Sequence, residues 1–377
     1  MKKFRLPALL LCLATLAGLL LSGCSKTKLD LVVGRVGNEN VTYRDVAVFA
    51  NYILMSNGYS RSDMTEEDVK ALNENALGNA VTYKVTCQKA ASLGLYPLSA
   101  DSQKRVEDNT GQYIASIQAS GMSLSSFGMT ESDIRTLMTY TELNELLKAE
   151  TTRDVTVTDD EIQTKYSELL ANQQPSYSAN PTAYDTALSG GAVTVVYRPA
   201  GYRYVKHILV AMPDEIASQI SAAAGSGDTE TVASLRKQGL AAIQEKADAA
   251  LARVKNGEDF DALVAELGAD PGMKAEPAKT EGYQVGAKSS FVPEFLEAAM
   301  ALAKPGDTTG LVATDYGYHI IRYVAAVPEG PVPPGEVKDA IRASVLADKQ
   351  TVAFTELAKQ WESEAAIKKN PGKMPVG

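Results

Sequence analysis

Between residues 62 and 173 apolar side chains recur at three- and four-residue spacing, the mark of helices that each bury one face. Upstream, residues 31–41 alternate apolar and polar as in a small hairpin turning at Gly37-Asn38, and Thr42 with Asp45 three residues on predicts a capped helix. That helix puts Val46, Phe49, Ala50, Ile53 and Leu54 on one side. Further helix starts are marked by Met64-Thr65-Glu66-Glu67-Asp68-Val69, by Thr130 with Asp133 and by Thr158 with Glu161. Residues 173–191 are polar, rich in Pro, Ser, Ala and Tyr and poor in large aliphatics, and read as a loop. The runs 192–197 and 202–210 predict a hairpin turning at Arg198-Pro199-Ala200-Gly201. Residues 212–240 predict helical pieces broken at Ala222-Ala223-Ala224-Gly225-Ser226-Gly227-Asp228, and a helix over 241–254 stops at Asn256-Gly257. A short helix at 259–267, a loop to about 290, a helix opening at Phe291-Val292-Pro293-Glu294-Phe295 and strands at 311–314 and 318–324 follow. The Pro-rich run 328–335 reads as a stiff linker, and 336–366 as a long amphipathic helix whose Val337, Ile341, Val345, Leu346, Phe354, Leu357 and Trp361 need a partner surface.

The composition is that of an ordinary globular chain, long enough at 377 residues for two cores. Its net charge is −9, and becomes −12 (34 basic against 46 acidic residues) without Lys2, Lys3 and Arg5. An acidic chain lacks the basic footprint that nucleic-acid binding requires. The basic start Met1-Lys2-Lys3-Phe4-Arg5, the Leu/Ala-rich run 6–20 and Leu21-Ser22-Gly23-Cys24 resemble a bacterial lipoprotein signal. The resemblance implies removal of residues 1–23, lipidation of Cys24 and a polar tether over 24–30. It places the protein on the extracytoplasmic face of the cell membrane. Of the three cysteines, Cys12 falls in the signal and Cys87 in a helical pattern with no histidine in its segment, so no disulfide framework and no thiol catalysis are expected.

The two histidines of the chain, His207 and His319, both sit within β-branched apolar runs. Buried histidines on apolar strands are more often satisfied core residues than catalysts. Four motifs in order change that reading: Lys206-His207-Ile208-Leu209-Val210, Val254-Lys255-Asn256-Gly257-Glu258-Asp259-Phe260, Phe291-Val292-Pro293-Glu294-Phe295 and Gly317-Tyr318-His319-Ile320-Ile321. Together they resemble a parvulin-type peptidyl-prolyl isomerase domain. With the lipobox, the N-terminal helices and the C-terminal helix, the chain resembles the PrsA/SurA-type foldase lipoproteins.

The resemblance implies an α+β fold in which a parvulin domain over 200–327, a small antiparallel sheet flanked by helices, is inserted into a helical chaperone domain. The helical domain would take residues 31–173, with 174–199 as linker and hairpin arm, 328–335 as second linker and 336–377 packing back. It implies His207, Asp270 and His319 as the catalytic set, and Phe291, Phe295, Thr314 and an apolar-wall position at Tyr283 as substrate-binding residues. No metal or cofactor is implied. The partners are unfolded exported proteins with X-Pro bonds, held by the helical domain, and the membrane. One stretch departs from the family: Thr280-Glu281-Gly282-Tyr283-Gln284-Val285-Gly286 stands where parvulins usually have Gly-Gly-Asp-Leu-Gly-aromatic, and Phe291 stands where Met is usual. The alternative is a non-catalytic chaperone whose parvulin fold only binds peptide.

Overall fold

The computed structural model describes residues 28–191 and 193–375; the expected signal peptide and Cys24 lie outside them. The chain divides into two compact units, one of residues 1–155 and 350–377 and the other of residues 156–349.

The first unit opens on strands β1 (Val32–Val36) and β2 (Glu39–Thr42), an antiparallel pair turning at Gly37-Asn38. Four helices follow: α1 (Tyr43–Asn57), α2 (Glu66–Ser92), α3 (Ala100–Ala119) and α4 (Glu131–Thr151). Three of them start in capping boxes, Thr42 with Asp45, Thr65 with Asp68 and Thr130 with Asp133. Each box satisfies backbone donors that the first helical turn leaves free, which is why the sequence marks those starts so clearly. Val46, Phe49, Leu54, Leu72, Leu77, Val81, Ile134 and Leu137 form the core of this unit.

The second unit starts with α5 (Asp159–Ala179) and α6 (Pro181–Gly190). Two expectations are corrected at this point. The helical domain expected over 31–173 stops short of α5, whose Ile162 and Tyr166 pack with Val196 and Ile341 in this unit. The stretch 174–199, expected as linker and hairpin arm, is largely helical. Its helices bury tyrosines rather than aliphatics, with Tyr177, Tyr184, Tyr197 and Tyr202 in one cluster, so the usual apolar periodicity is invisible. Strand β3 (Tyr197–Arg198) does not pair with β4 (Arg203–Ala211) as the expected hairpin requires. Val196 donates its N–H to Gln173 Oε1 on α5 at 2.7 Å and accepts from Val332 N at 2.8 Å, which draws β3 away.

Beyond β4 come α7 (Asp214–Gly225), α8 (Thr229–Lys255), α9 (Phe260–Leu267), α10 (Ala278–Glu281), β5 (Tyr283–Val285), α11 (Pro293–Ala301), β6 (Val312–Thr314) and β7 (Gly317–Ala326). The sheet is antiparallel in the order β5-β4-β7-β6. Alternation sends β4 and β7 side chains to two faces. Ile208, Val210 and Ile320 meet Ile220, Ile243, Ala247, Phe260 and Leu263 from α7, α8 and α9. Val205 and Ile321 meet Phe295 and Ala299 from α11. Covered on both sides, the central strands carry unbroken apolar runs at Ile208-Leu209-Val210 and Ile320-Ile321.

After β7, β8 (Gly330–Pro331) pairs with β3, and Val332 is buried, so the stretch 328–335, expected as a stiff linker, is partly built into this unit. The last helix, α12 (Pro334–Glu364), buries Ile341 in the second unit, while from Gln350 onward it belongs to the first, where Phe354 and Trp361 pack against Leu143 and Leu147. The chain closes on β9 (Ile367–Lys369), a third strand beside β1 that sequence patterning did not reveal.

Candidate active site

The register of the central strands creates the site. His207 stands opposite Ile321 and His319 opposite Leu209, so the two histidines are diagonal neighbours on the sheet face covered by α11. Their rings lie 5.1 Å apart at 27°, with Nδ1 to Nδ1 at 3.0 Å. Both are nearly sealed, at 4% and 5% exposure.

Asp270 arrives from the loop after α9. Ala269 N donates to Leu209 O on β4 at 2.9 Å, which ties the loop to the histidine strand, and Gly272 N donates to Asp270 Oδ1 at 2.9 Å. The second carboxylate oxygen contacts His207 Nε2 at 2.7 Å and accepts the Tyr283 hydroxyl at 2.9 Å. Gly272 is required here for space: a β-carbon on it would lie 1.8 Å from the Tyr283 hydroxyl oxygen. At the other end Thr314 Oγ1 lies 2.9 Å from His319 Nε2 and accepts from Tyr316 N at 3.1 Å.

These contacts form one directed chain. An ionised carboxylate only accepts, so His207 Nε2 donates to Asp270. In the uncharged pair His207 Nδ1 then accepts from His319 Nδ1–H, and His319 Nε2 accepts from the Thr314 hydroxyl. Each ring is left in one tautomer, with both nitrogens satisfied.

The aromatic side chains close over this chain. Phe295 meets His207 and His319 edge-on at 5.2 and 5.3 Å, Phe291 stacks on Phe295 at 5.3 Å, and Tyr283 lies 5.7 Å from Phe291. Phe291 enters from the loop before α11, where its N–H donates to Ser289 O at 2.8 Å. Arg236 on α8 donates to Glu294 at the start of α11 and to Ala313 O on β6, joining the aromatic helix to the strand that carries Thr314. Neither Gly272 nor Arg236 stood out in the sequence, because each works through a long-range contact.

All seven residues named from the sequence thus converge, but two occupy other places than expected. Thr314 is fully buried and bonded to His319, so it positions that ring and does not face a substrate. Tyr283 is not merely an apolar wall, because its hydroxyl is spent on Asp270. Asp270, Tyr283 and Phe291 remain partly exposed at the mouth.

The electrostatics follow from the same contacts. Hydrogen bonding to His207, reinforced by Gly272 N and Tyr283, holds the Asp270 carboxyl down at about 2 against the cost of burial. Burial first, and His207 second, push the His319 imidazole down to about 3. Burial and the Asp270 carboxylate push the Tyr283 phenol up, which keeps it a donor.

Residues 207–325 match the family model described as Rotamase, PPIC-type PPIASE domain. That span holds every residue of the site. It is a parvulin-type peptidyl-prolyl isomerase domain. The chain is similar to foldase protein PrsA of Clostridium botulinum, 25% identical over 315 residues that cover 82% of this chain and 77% of that one. Foldase protein PrsA of Clostridium kluyveri is 23% identical over 361 residues, 89% of this chain and 87% of that one. A crystal structure of foldase protein PrsA from Streptococcus pneumoniae overlays with a TM-score of 0.32 at 15% identity, covering 79% of this chain and 87% of that chain. The likeness to these foldase proteins extends beyond the parvulin-type span at both ends.

Two predictions arise from the parvulin site. Thr314→Val keeps the side-chain volume but leaves His319 Nε2 without a donor in a sealed place, at a cost of about 1–3 kcal/mol. The variant is expected to lower kcat with little change in KM and to shift the His319 ring nitrogens in 15N spectra, with Thr314→Ser restoring both. The second concerns pH. An unfolded histidine titrates near about 6.5 and an unfolded aspartate near about 3.9. Since both folded values are depressed, the unfolded chain binds the protons first as pH falls. The His319 contribution to stability is complete above about pH 6.5 and gone by about pH 3, while that of Asp270 is lost between about pH 4 and 2. Urea midpoints of the second unit should therefore fall steadily from pH 7 to pH 4, and His319→Phe should flatten that slope.

Proposed function

We propose that the parvulin cup catalyses cis–trans isomerisation of X-Pro bonds in exported proteins, and that the chain works from the extracytoplasmic face of a membrane, anchored by lipid on Cys24. The observation that carries the catalytic reading is the unbroken hydrogen-bond chain from Thr314 through both histidines to Asp270, lying beneath Phe291 and Phe295. It supports the reading because the path does not close within the core: it runs out to a carboxylate that stays partly exposed at the mouth, beside the aromatic faces a proline ring would meet.

Rotation about a prolyl amide faces a barrier of ~18–20 kcal/mol set by amide resonance. No bond to a heavier nucleophile is needed, only preference for the twisted amide, in which that resonance is lost. The Phe291 and Phe295 faces would hold the pyrrolidine ring and strip water from the planar amide. The fixed tautomers and the Asp270 charge would supply a field that need not reorganise as the bond turns. A thousandfold acceleration corresponds to about 4 kcal/mol.

The test is refolding of a protein whose slow phase is limited by a prolyl bond, with the chain lacking residues 1–24 added in catalytic amounts. Acceleration of that phase supports the proposal. Suppressed aggregation with an unchanged slow phase would leave a chaperone that binds without catalysis. Anchoring is tested separately: radiolabelled fatty acid should enter the full chain and not its Cys24→Ala variant.

A further inference from the structure

Helix α6 lies outside the family-matched span, yet it is fastened to the loop that delivers Phe291. Tyr184 is fully buried and donates to Gln284 on β5. Asp185 Oδ1 accepts from the Tyr202 hydroxyl and from Ser289 Oγ, each at 3.0 Å, and Ser289 Oγ in turn accepts from Gly286 N at 2.9 Å. Between α6 and this loop runs a cleft of about 480 Å³, whose walls include Leu188, Pro277, Glu281, Tyr283 and Phe291.

Three features mark it as a place for a ligand. It is continuous with the cup, because Tyr283 and Phe291 belong to both. Leu188 is 37% exposed and offers an aliphatic surface without a neighbour covering it. The charged residues lining it, among the described residues, are Asp185 and Glu281, both acidic, and Asp185 Oδ2 is buried without a hydrogen-bond partner.

We infer that this cleft takes the client segment next to the isomerised bond: an extended strand whose apolar residues lie on Leu188 and Pro277 and whose lysine or arginine meets Glu281. The inference rests on the isomerase reading for its substrate but not for its measurement. An extended chain advances about 3.3 Å per residue, so residues close to the proline reach past Phe291 into the cleft. Apolar walls provide area, and the acidic rim selects by charge.

The experiment uses proline peptides carrying lysine, alanine or glutamate at positions one to four residues on either side of the proline. It measures both isomerisation and, by fluorescence anisotropy of the labelled peptides, binding without turnover. At low salt, lysine at one of these positions should improve kcat/KM and affinity about three- to fivefold over glutamate, a difference that fades with added salt. Glu281→Lys should reverse the preference while leaving alanine peptides unchanged. Leu188→Asp should weaken binding of long apolar peptides and spare short ones. A charge preference in binding without any turnover upholds the cleft and overturns the isomerase reading. Turnover that is indifferent to charge position, with Glu281→Lys and Leu188→Asp both silent, overturns the cleft and leaves the isomerase reading standing.

Discussion

Asp270→Ala is expected to lower kcat/KM for proline peptides by about a hundredfold, the scale seen when one preorganised polar group is removed from an active site. The carboxylate accepts from His207, Gly272 and Tyr283. Without it His207 Nε2–H loses its acceptor, the tautomer of that ring is free to switch, and His319 Nδ1–H loses its fixed partner in turn. The Tyr283 hydroxyl is released at the mouth as well. Asp270→Asn separates shape from charge: its amide oxygen can still accept from His207, so the fold should hold while the field changes. Its loss of activity should therefore exceed its loss of stability. Equal activity in Asp270→Ala and the parent would show that the polar floor is a structural device only. The measurement is a protease-coupled or chromogenic assay beside a melting curve for each variant.

Gly317→Ala should damage the second unit more than any single truncation of the aromatic wall. Gly317 opens β7 immediately after the turn from β6, with φ at +139°, a region that side chains rarely adopt. A β-carbon there would lie 2.1 Å from Val210 O on the paired strand. The backbone conformation alone costs an alanine about 1–3 kcal/mol, and relieving the clash would pull β7 from β4 where His319 faces Leu209. Stability and activity should fall together, with a lowered Tm and loss of the His319 ring signals from their buried position. A soluble variant with the parent Tm would mean that the turn tolerates another path.

Much of this site was legible in the sequence, for a physical reason. Parvulin chemistry uses side chains on strands and at helix starts, where local patterns are strong: the β-branched run around His207, the Pro293 that starts α11 and the glycine turn before His319. Helix starts in the first unit were equally visible because Thr42, Thr65 and Thr130 act on backbone only three residues away. What stayed hidden depends on distant partners. Helix α6 buries a single tyrosine, Tyr184, held by Tyr202 eighteen positions further on and by Gln284 on β5. Strand β9 exists because β1 offers it an edge, not because Ile367-Lys368-Lys369 has a strong pattern of its own. The polar use of Tyr283 could not be read from a loop that departs from the family motif, since it depends on the space left by Gly272.

In place of the expected family motif, residues 280–286 supply a tyrosine that joins the carboxylate and a wall shared with the cleft beside α6. The most direct test is exchange NMR on a short proline peptide with the chain lacking residues 1–24, which reads cis–trans interconversion with no coupled enzyme. The proposal predicts exchange cross-peaks for the parent that vanish in His207→Ala and Asp270→Ala at equal peptide occupancy. Peptide binding by the parent with no exchange above the uncatalysed rate would contradict it.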